Sequence, residues 1–354
     1  MNEQLRRAKD SLDSIIKKAR VYWYKPIQIA EILYHNRVVG DADLNDMETY
    51  RIASKHWRNE VTSALSNAKS SSSNDYQDGL FLKQMPQQQL KLLGKENRRT
   101  KGAVEAYIYG QFLHNQIQLN KILNYCKTST TENFDVKYLL DTFLREKGLS
   151  RSMDKVYEVI VYALFSTLVE TMGMQVEISV DMDKLGILSD FMDFAKMIMG
   201  IDVNVRKSKQ KAKIYRVGVA NAADRGLDMY SNWGPAIQIK HLTLDAQKAE
   251  SIVSEITSDR IVIVCREADA SIIALLLGQI GWKNRIQSIV TEKDLVKWYE
   301  KALRGKNSPL LGGTLLQKMQ EELIKEFPHV KEIPEILVSR NYDDTIYPEW
   351  AVNL

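Results

Sequence analysis

The feature that most constrains the fold is the alternation of strand-like and helix-like patterns between Gly226 and Leu303. The runs Arg260–Cys265 and Ile286–Thr291 are short, apolar and rich in β-branched residues, as expected of buried strands. Helical patterns separate and follow them, over residues 246–256, 268–278 and 292–303. Strand, helix and strand at this spacing predict an α/β sheet with parallel elements.

Two short strands precede this alternation. In the run GLDMYSNWGPAIQIKHLTL, residues 226–244, the tetrapeptide Asn232–Pro235 has the composition of a tight turn. Asp228 lies on the first predicted strand, and Gln238 and Lys240 lie on the second. Because side chains alternate along a strand, Gln238 and Lys240 project to the same face.

Folding this hairpin could bring Asp228 beside Gln238 and Lys240. Such a cluster offers the oxygen ligands that Mg²⁺ prefers, together with an ammonium that can orient a water or offset charge on a phosphate. Enzymes that hydrolyse phosphodiesters need these groups. The same residues equally fit an exposed hairpin with polar residues on its solvent face, so the spacing alone leaves both interpretations open.

A buried helix is predicted before the hairpin. Residues Met153–Gly173 are apolar on nearly every helical face from Val156 to Val169. Glu158 lies inside that run, where a lone carboxylate is costly unless it is paired or bound to a metal. Glu158 is therefore a candidate metal or catalytic residue, and pairing with a nearby lysine is the alternative.

The hairpin resembles the motif of the PD-(D/E)xK nuclease superfamily, with Asp228 in the place of its Asp and Gln238-Ile239-Lys240 in the place of (D/E)xK. This resemblance implies metal-assisted hydrolysis by Asp228, Gln238 and Lys240 with Mg²⁺. Gln238 departs from the pattern because a carboxamide brings no charge. A second carboxylate is therefore expected from Glu158 or Asp224. The expected fold is α/β, with a restriction-endonuclease-like mixed sheet core flanked by helices.

Residues 221–244 and 19–37 further resemble segments of the HaeII family of type II restriction endonucleases. The family implies a Mg²⁺-dependent enzyme that cuts double-stranded DNA at a short palindrome, expected to be RGCGCY. It also implies a cognate DNA methyltransferase that acts on the same site without binding this chain. A palindrome cut on both strands favours a homodimer, because two active sites must be related by a two-fold axis. Two alternatives stay open: a non-catalytic DNA-binding protein with a degenerate nuclease core, and a structure-selective nuclease.

Three regions are predicted: a mostly α-helical domain over residues 1–148, a nuclease domain over 149–306, and a C-terminal helix and irregular tail over 307–354. Helical patterns at 26–34 and 45–68 resemble a helix-turn-helix arrangement. The polar side of the second helix could contact bases or phosphates through Arg51, Lys55, Arg58 and Asn59. A solvated helix face is the alternative.

A basic cluster lies between two strand-like runs at residues 206–213, with five cations in eight residues. Its position suggests the tip of a hairpin. Arg206, Lys207 and Lys209 are candidate phosphate contacts, since such contacts give salt-dependent affinity without sequence information. A solubilising loop is the alternative.

Composition sets the outer limits. The 354 residues carry a net charge of +4, which permits a polyanionic partner but does not demand one. Two cysteines in apolar contexts, Cys126 and Cys265, exclude a disulfide framework and a zinc-finger spacing, and they favour a cytoplasmic protein. No apolar run reaches the length of a transmembrane helix, and no GxSxG, HExxH or Walker motif occurs.

Overall fold

The computed structural model describes residues 1–19, 22–66, 69–146, 149, 152–217, 227–240, 251, 256, 258–267, 285–327, 335–340, 342 and 347–352. The chain divides into two compact units. One comprises residues 1–125, 141–152 and 324–354, and the other comprises residues 126–140 and 153–323. They are called here the helical unit and the sheet unit.

The described α-helices have the following bounds: α1 Glu3–Lys17, α2 Tyr24–Tyr34, α3 Glu48–Arg51, α4 Ala53–Ser66, α5 Asn74–Asp78, α6 Gln87–Arg99, α7 Ala103–Thr128, α8 Val136–Arg145, α9 Met153–Thr171, α10 Leu185–Asp190, α11 Met192–Phe194, α12 Glu292–Arg304, α13 Ser308–Glu326 and α14 Glu335–Val338. Short π-helical turns occupy His35–Val39, Gly79–Gln84 and Ala195–Met199, and 3₁₀ turns occupy Met182–Lys184 and Pro348–Trp350. None of these helices is long and apolar enough to cross a membrane.

The helical unit confirms the prediction of a mostly α-helical N-terminal region. Its core is formed by the apolar faces of α1, α2, α4, α6 and α7. The helix predicted over 45–68 is divided into α3 and α4 at Ile52. The C-terminal tail also packs here: Trp350 is buried in this core, and the guanidinium of Arg340 donates two hydrogen bonds to the carboxylate of Glu31, at 2.6 and 2.8 Å.

The sheet unit contains a five-stranded mixed sheet of order β3-β4-β5-β6-β7. Its strands are β3 Ile214–Arg216, β4 Met229–Ser231, β5 Ala236–Lys240, β6 Ile261–Cys265 and β7 Ile286–Thr291. The first three are antiparallel neighbours, and β5, β6 and β7 run parallel. The predicted α/β fold with a mixed sheet and flanking helices is therefore confirmed, and the strand patterns at 260–265 and 286–291 correspond to β6 and β7.

Helix α9 packs on this sheet and is as buried as its apolar pattern predicts. The Tyr157 hydroxyl donates a hydrogen bond to the carbonyl of Cys265 at the end of β6, at 3.2 Å. On another side of α9, the Tyr299 hydroxyl of α12 donates to the carbonyl of Ile160, at 2.8 Å. Helix α12 starts directly after β7, because Thr291 and Asp294 form a capping box that satisfies its first N–H groups. These contacts fix the start of α9 relative to the ends of the central strands.

The basic cluster at residues 206–213 is not a hairpin tip, so that prediction is wrong. Residues Lys207–Lys211 form a strand, β2, which pairs antiparallel with β1, Gln175–Ser179. Glu177 of β1 neutralises part of the cluster by pairing with Lys207 and Lys209. The helices predicted over 246–256 and 268–278 lie outside the described residues, apart from Ser251 and Ile256.

Candidate active site

The hairpin that carries the candidate site has the predicted form. Strands β4 and β5 pair antiparallel, with Met229 opposite Ile237 and Tyr230 opposite Ala236. The turn closes through a hydrogen bond from the N–H of Ser231 to the carbonyl of Pro235, at 3.0 Å. Gly234 has a φ of +118°, a conformation that side chains disfavour, so this position requires glycine.

Asp228 lies directly before β4, and continuing the β4–β5 register by one residue places it opposite Gln238. Its backbone is extended and bonded, since its carbonyl accepts from the N–H of Val217 at 2.9 Å. Its carboxylate Oδ2 accepts from the N–H of Ile239 at 2.7 Å. Opposite residues of an antiparallel pair project to the same face, so Asp228, Gln238 and Lys240 share one face of the sheet.

Burial controls the ionisation of Asp228. Desolvation raises the pKa of its carboxyl to about 6. The hydrogen bond from Ile239 and the positive charges of Lys240 and Lys155 act in the opposite direction, and the negative charge of Asp154 raises the pKa further. Lys240 therefore acts electrostatically on the carboxylate of Asp228.

Gln238 is buried in the centre of the sheet. β5 is hydrogen-bonded on both sides, to β4 and β6, and Gln238 is only 2% exposed. The interpretation of this segment as an exposed hairpin with a solvated polar face is therefore wrong. The side-chain oxygen Oε1 of Gln238 has no hydrogen-bond partner among the residues that the structure describes. An unpaired buried carbonyl oxygen costs about 1–3 kcal/mol, so a ligand that accepts its lone pair would be stabilising.

The predicted carboxylates have different surroundings. Glu158 is 5% exposed, and both of its oxygens accept from the ammonium of Lys155, at 2.8 Å each. This pair provides the lysine partner that burial of Glu158 requires. Asp224 lies outside the described residues. Asp154, at the exposed first turn of α9, is a carboxylate that sequence reasoning did not select, although it lies one helical turn before Glu158.

A metal at this site would be held by mixed oxygen donors. Within the described ranges, no group of three His, Cys, Asp or Glu side chains could hold a metal ion by itself. The carboxylate of Asp228 and the unpaired oxygen of Gln238 provide two hard oxygen donors, which suit Mg²⁺. The donor chemistry therefore fits a divalent ion that completes its shell with water, as Mg²⁺ commonly does.

Comparison with known proteins decides the family. A sequence model of the HaeII restriction endonuclease family matches residues 8–342. The chain belongs to the HaeII restriction endonuclease family. It is 51% identical to the type II restriction enzyme HaeII of Haemophilus aegyptius over 322 residues, which cover 91% of this chain and 92% of that protein. It is 48% identical to the type II restriction enzyme NgoBI of Neisseria gonorrhoeae over 350 residues, 98% of this chain and 99% of that protein. No solved structure matches the chain.

Membership of the HaeII family confirms the predicted resemblance and the prediction that the chain is a restriction endonuclease. Binding of DNA follows from the family, and type II restriction endonucleases usually need a divalent metal ion. The hairpin residues that were used to predict the resemblance, 221–244, lie inside the matched range.

The candidate DNA contacts on α3 and α4 do not all lie on one solvent-facing side. Arg58 is fully buried, and its guanidinium donates to the side chains of Gln28, Asn59 and Ser72 and to the carbonyl of Ser70, at 2.8–3.2 Å. The expectation that Arg58 faces a ligand is therefore wrong, because this network uses its donors inside the helical unit. Arg51 pairs with Asp78, and Lys55 and Asn59 are half-buried.

The cations of the β2 segment are accessible. Arg206, Lys207 and Lys209 are exposed, and the ion pairs that join Lys207 and Lys209 to Glu177 have N–O distances of 3.0 and 3.1 Å. Ion pairs at such exposed positions are weak, so both ammonium groups can exchange Glu177 for another anion at little cost. These three residues stay candidate phosphate contacts.

Proposed function

We propose that this chain is a Mg²⁺-dependent type II restriction endonuclease that hydrolyses both strands of duplex DNA at a short palindrome. The observation that carries the proposal is the buried oxygen of Gln238. It has no hydrogen-bond partner in the described part of the chain, and it lies on the face shared with Asp228 and Lys240. In a hairpin with only a structural role, the unpaired oxygen would destabilise the folded state and serve no purpose. In a metal site it is a ligand.

Asp228 and Gln238 would hold the ion through their side-chain oxygens, and either Glu158 or Asp154 would complete the protein's share of the shell. The charge of Asp154 acts on Asp228, and both oxygens of Glu158 accept from the ammonium of Lys155. When bound, the ion supplies a positive charge that stabilises the phosphate as negative charge develops on it. Asp228, with a pKa of about 6, is mostly ionised at neutral pH and available as a ligand.

Lys240 has the second role. It is half-buried at the end of β5, on the side of Asp228 and Gln238. Its ammonium donates hydrogen bonds to the attacking water and offsets charge on the scissile phosphate, chiefly in the transition state. The backbone N–H of Ile239 holds the Asp228 carboxylate in place. This carboxylate is therefore a fixed negative charge that balances the Lys240 ammonium during hydrolysis.

The expected target is RGCGCY, and this expectation rests on the family resemblance. Cleavage of a palindrome on both strands needs two active sites related by a two-fold axis, so the active species is a homodimer. A cognate DNA methyltransferase would protect the same sequence in the host without binding this chain. Arg206, Lys207 and Lys209 would contact phosphates, and Arg51, Lys55 and Asn59 are the remaining candidates on the helical unit.

The test is digestion of a sequenced plasmid by the purified protein with Mg²⁺ and with EDTA, followed by mapping of the ends. The proposal expects discrete Mg²⁺-dependent fragments with ends at RGCGCY sites. Cleavage in EDTA would contradict the metal requirement. Intact plasmid would contradict the proposed activity, and ends scattered without a common sequence would contradict the specificity.

A further inference from the structure

Two exposed tyrosines stack on each other at the start of the sheet. Tyr215 of β3 and Tyr230 of β4 are directly opposite in the antiparallel register. Their ring centroids are 5.1 Å apart, and the ring planes differ by only 20°. The two residues are 39% and 44% exposed. Tyrosine combines an apolar ring with a hydroxyl that can donate a hydrogen bond, and it is enriched at binding interfaces.

The tyrosine pair lies on the face of the sheet that carries the candidate active site. Because side chains alternate along a strand, Asp228 and Tyr230 project to the same face. Tyr230 is opposite Ala236, which is two residues before Gln238 on the next strand. Two residues of an antiparallel strand advance by about 7 Å, so the pair is one such step from Asp228.

A cation continues this face on the other side of the tyrosine pair. Lys213, two residues before Tyr215, is also exposed, whereas Ile214 between them is buried. The carbonyl of Lys213 accepts from the N–H of Asn232 at 3.1 Å, so the register of β3 with β4 extends to this lysine. Lys213 is also the last cation of the basic cluster at residues 206–213. The exposed face therefore leads from the cluster, through the tyrosine pair, to the candidate active site.

The hydroxyls of the pair have no role in the fold within the described ranges. Among those residues, neither the Tyr215 nor the Tyr230 hydroxyl takes part in a hydrogen bond. The contact of two aromatic rings across neighbouring strands stabilises a sheet through the rings alone. Both hydroxyls are consequently left to interact with solvent or with a ligand on this face.

The chemistry of the face fits the sugar–phosphate backbone of a DNA strand. The charge of Lys213 complements phosphate, and tyrosine hydroxyls are common donors to phosphate oxygens. One nucleotide advances a strand by about 3.4 Å along the duplex axis, so the step from Asp228 to Tyr230 spans about two nucleotides. Each ring already covers one face of the other, and bases leave an intact duplex only at the cost of unstacking. Base stacking on the pair is therefore disfavoured.

We propose that Tyr215 and Tyr230 donate hydrogen bonds from their hydroxyls to phosphates of the cleaved strand, within about two nucleotides of the scissile bond. These contacts set the position of that bond over Asp228 and Gln238. They carry no sequence information, because every nucleotide has the same phosphate. The inference rests on the proposed function, since it requires that DNA is cut on this face.

The experiment compares DNA binding by hydroxyl-free variants of the full-length protein. The test variant is Tyr215→Phe/Tyr230→Phe, which keeps both rings and their stacking and removes only the hydroxyls. The matched control is Tyr138→Phe, which removes the hydroxyl of a tyrosine of α8 that is 54% exposed. Each protein is titrated in Ca²⁺ with a duplex that contains RGCGCY and with an unrelated duplex, at several salt concentrations. Thermal unfolding of the free proteins is measured alongside.

The double variant should bind both duplexes more weakly, by about 5- to 10-fold for each hydroxyl lost. Its salt slope should equal that of the wild type, because a neutral hydroxyl releases no counterions. Its melting temperature and the affinity of Tyr138→Phe should be unchanged. Unchanged affinity of the double variant overturns the inference. A loss confined to the RGCGCY duplex would make the tyrosines base contacts, and a lower melting temperature would assign the hydroxyls to the fold; each also overturns it.

A second measurement locates the contacts on the DNA. Plasmid digestion by the wild type maps the scissile phosphate, and neutral methylphosphonates are then placed one at a time around it. The wild type should be more sensitive than the double variant at one or two positions within about two nucleotides of the cut, and equally sensitive elsewhere. Equal sensitivity of both proteins at every position overturns the inference.

Plasmid cleavage by the same wild-type preparation separates this inference from the proposed function. If the wild type cuts with Mg²⁺ and the double variant binds both duplexes normally, only the role of the tyrosine pair is wrong. If the wild type cuts no DNA, but the double variant binds both duplexes more weakly, the proposed function is wrong and the tyrosines are phosphate contacts of a protein that does not cleave.

Discussion

The carboxylate of Asp228 accepts a hydrogen bond from the backbone N–H of Ile239, at 2.7 Å. Ile239 lies between Gln238 and Lys240 on β5, so this bond fixes the aspartate beside the strand that carries the other two groups. Because the donor belongs to the backbone of a central strand, the fold itself positions the carboxylate, so little reorganisation is needed when a ligand binds.

Replacing Asp228 with asparagine should abolish cleavage and stabilise the metal-free protein. The folded-state pKa of about 6 exceeds the ordinary value of 3.8, so the native state binds the proton more tightly than the unfolded state. Wild-type stability therefore falls as pH rises from about 4 to 6, and the penalty is fully present above that range. A pKa shift of this size lowers the free energy of unfolding at high pH by at most about 3 kcal/mol. We expect Asp228→Asn to raise the free energy of unfolding by about 1–2 kcal/mol at pH 8.

Urea unfolding in EDTA at pH 4 and pH 8 checks this prediction. The Asp228→Asn variant should gain stability over wild type at pH 8 and little at pH 4. An equal difference at both pH values would show that Asp228 ionisation is not its cause. Cleavage by this variant near the wild-type rate would remove Asp228 from the active site.

Gln238 gives an independent test through two substitutions. Gln238→Met keeps the side-chain length but removes the unpaired oxygen, so cleavage should fall at least about 100-fold while stability is kept or increased by about 1 kcal/mol. Gln238→Glu restores a charged ligand, so it should retain cleavage with a changed preference between Mg²⁺ and Mn²⁺. Single-turnover rates in each metal, with thermal unfolding, decide the question. If both variants cut like wild type, the oxygen does not serve the reaction.

The sequence predicted the secondary structure around the candidate site correctly where local periodicity determined it. Strand alternation placed Gln238 and Lys240 on one face, the turn residues placed the hairpin, and apolar runs placed β6, β7 and α9. These patterns are local, and the tertiary structure preserves them. The residue types allowed either an ion pair of Glu158 with Lys155 or a metal contact by Glu158. The sequence could not decide between them, because the outcome depends on how the side chains are placed in three dimensions.

Long-range contacts explain what the sequence did not predict. Arg58 has the spacing of a surface residue, yet Gln28 and Ser72, from distant parts of the chain, satisfy its donors and allow its burial. Residues 206–213 lack strand composition because lysines dominate, and residues 207–211 form β2 because β1 offers a pairing edge. The effect of Asp154 on Asp228 likewise depends on how α9 packs on the sheet.

Arg58 should therefore be a stability determinant and not a DNA contact. Arg58→Met removes the guanidinium that donates to the side-chain oxygens of Gln28 and Ser72 and to the carbonyl of Ser70, so we expect a loss of about 2–4 kcal/mol in the free energy of unfolding. DNA affinity of the folded protein should be unchanged. Lys55→Met, on the same helix but half-buried, is the control and should change stability little. A stable Arg58→Met protein with weakened DNA binding would reverse this assignment.

The cations of β2 should contribute to DNA affinity without specificity. Changing Lys207 and Lys209 together to Gln should weaken binding to cognate and unrelated duplexes alike, and the slope of log affinity against log salt should fall by about two units. The control is the double substitution of Lys184 and Lys196, exposed lysines of the segment between β1 and β2, which should leave the slope unchanged. Equal slopes for both double variants would exclude β2 from the DNA interface.

The most direct measurement of the central claim is single-turnover cleavage of cognate DNA by Lys240→Ala at saturating enzyme, alongside a binding titration in Ca²⁺. A donor that acts mainly in the transition state is worth about 10²–10³ in rate and little in affinity, so the variant should bind normally and cut very slowly. Lys240→Arg should be little better, because a planar guanidinium does not replace a compact ammonium. Near-normal cleavage, with weakened binding and a salt slope lower by about one unit, would instead make Lys240 a surface phosphate contact and contradict the proposed site.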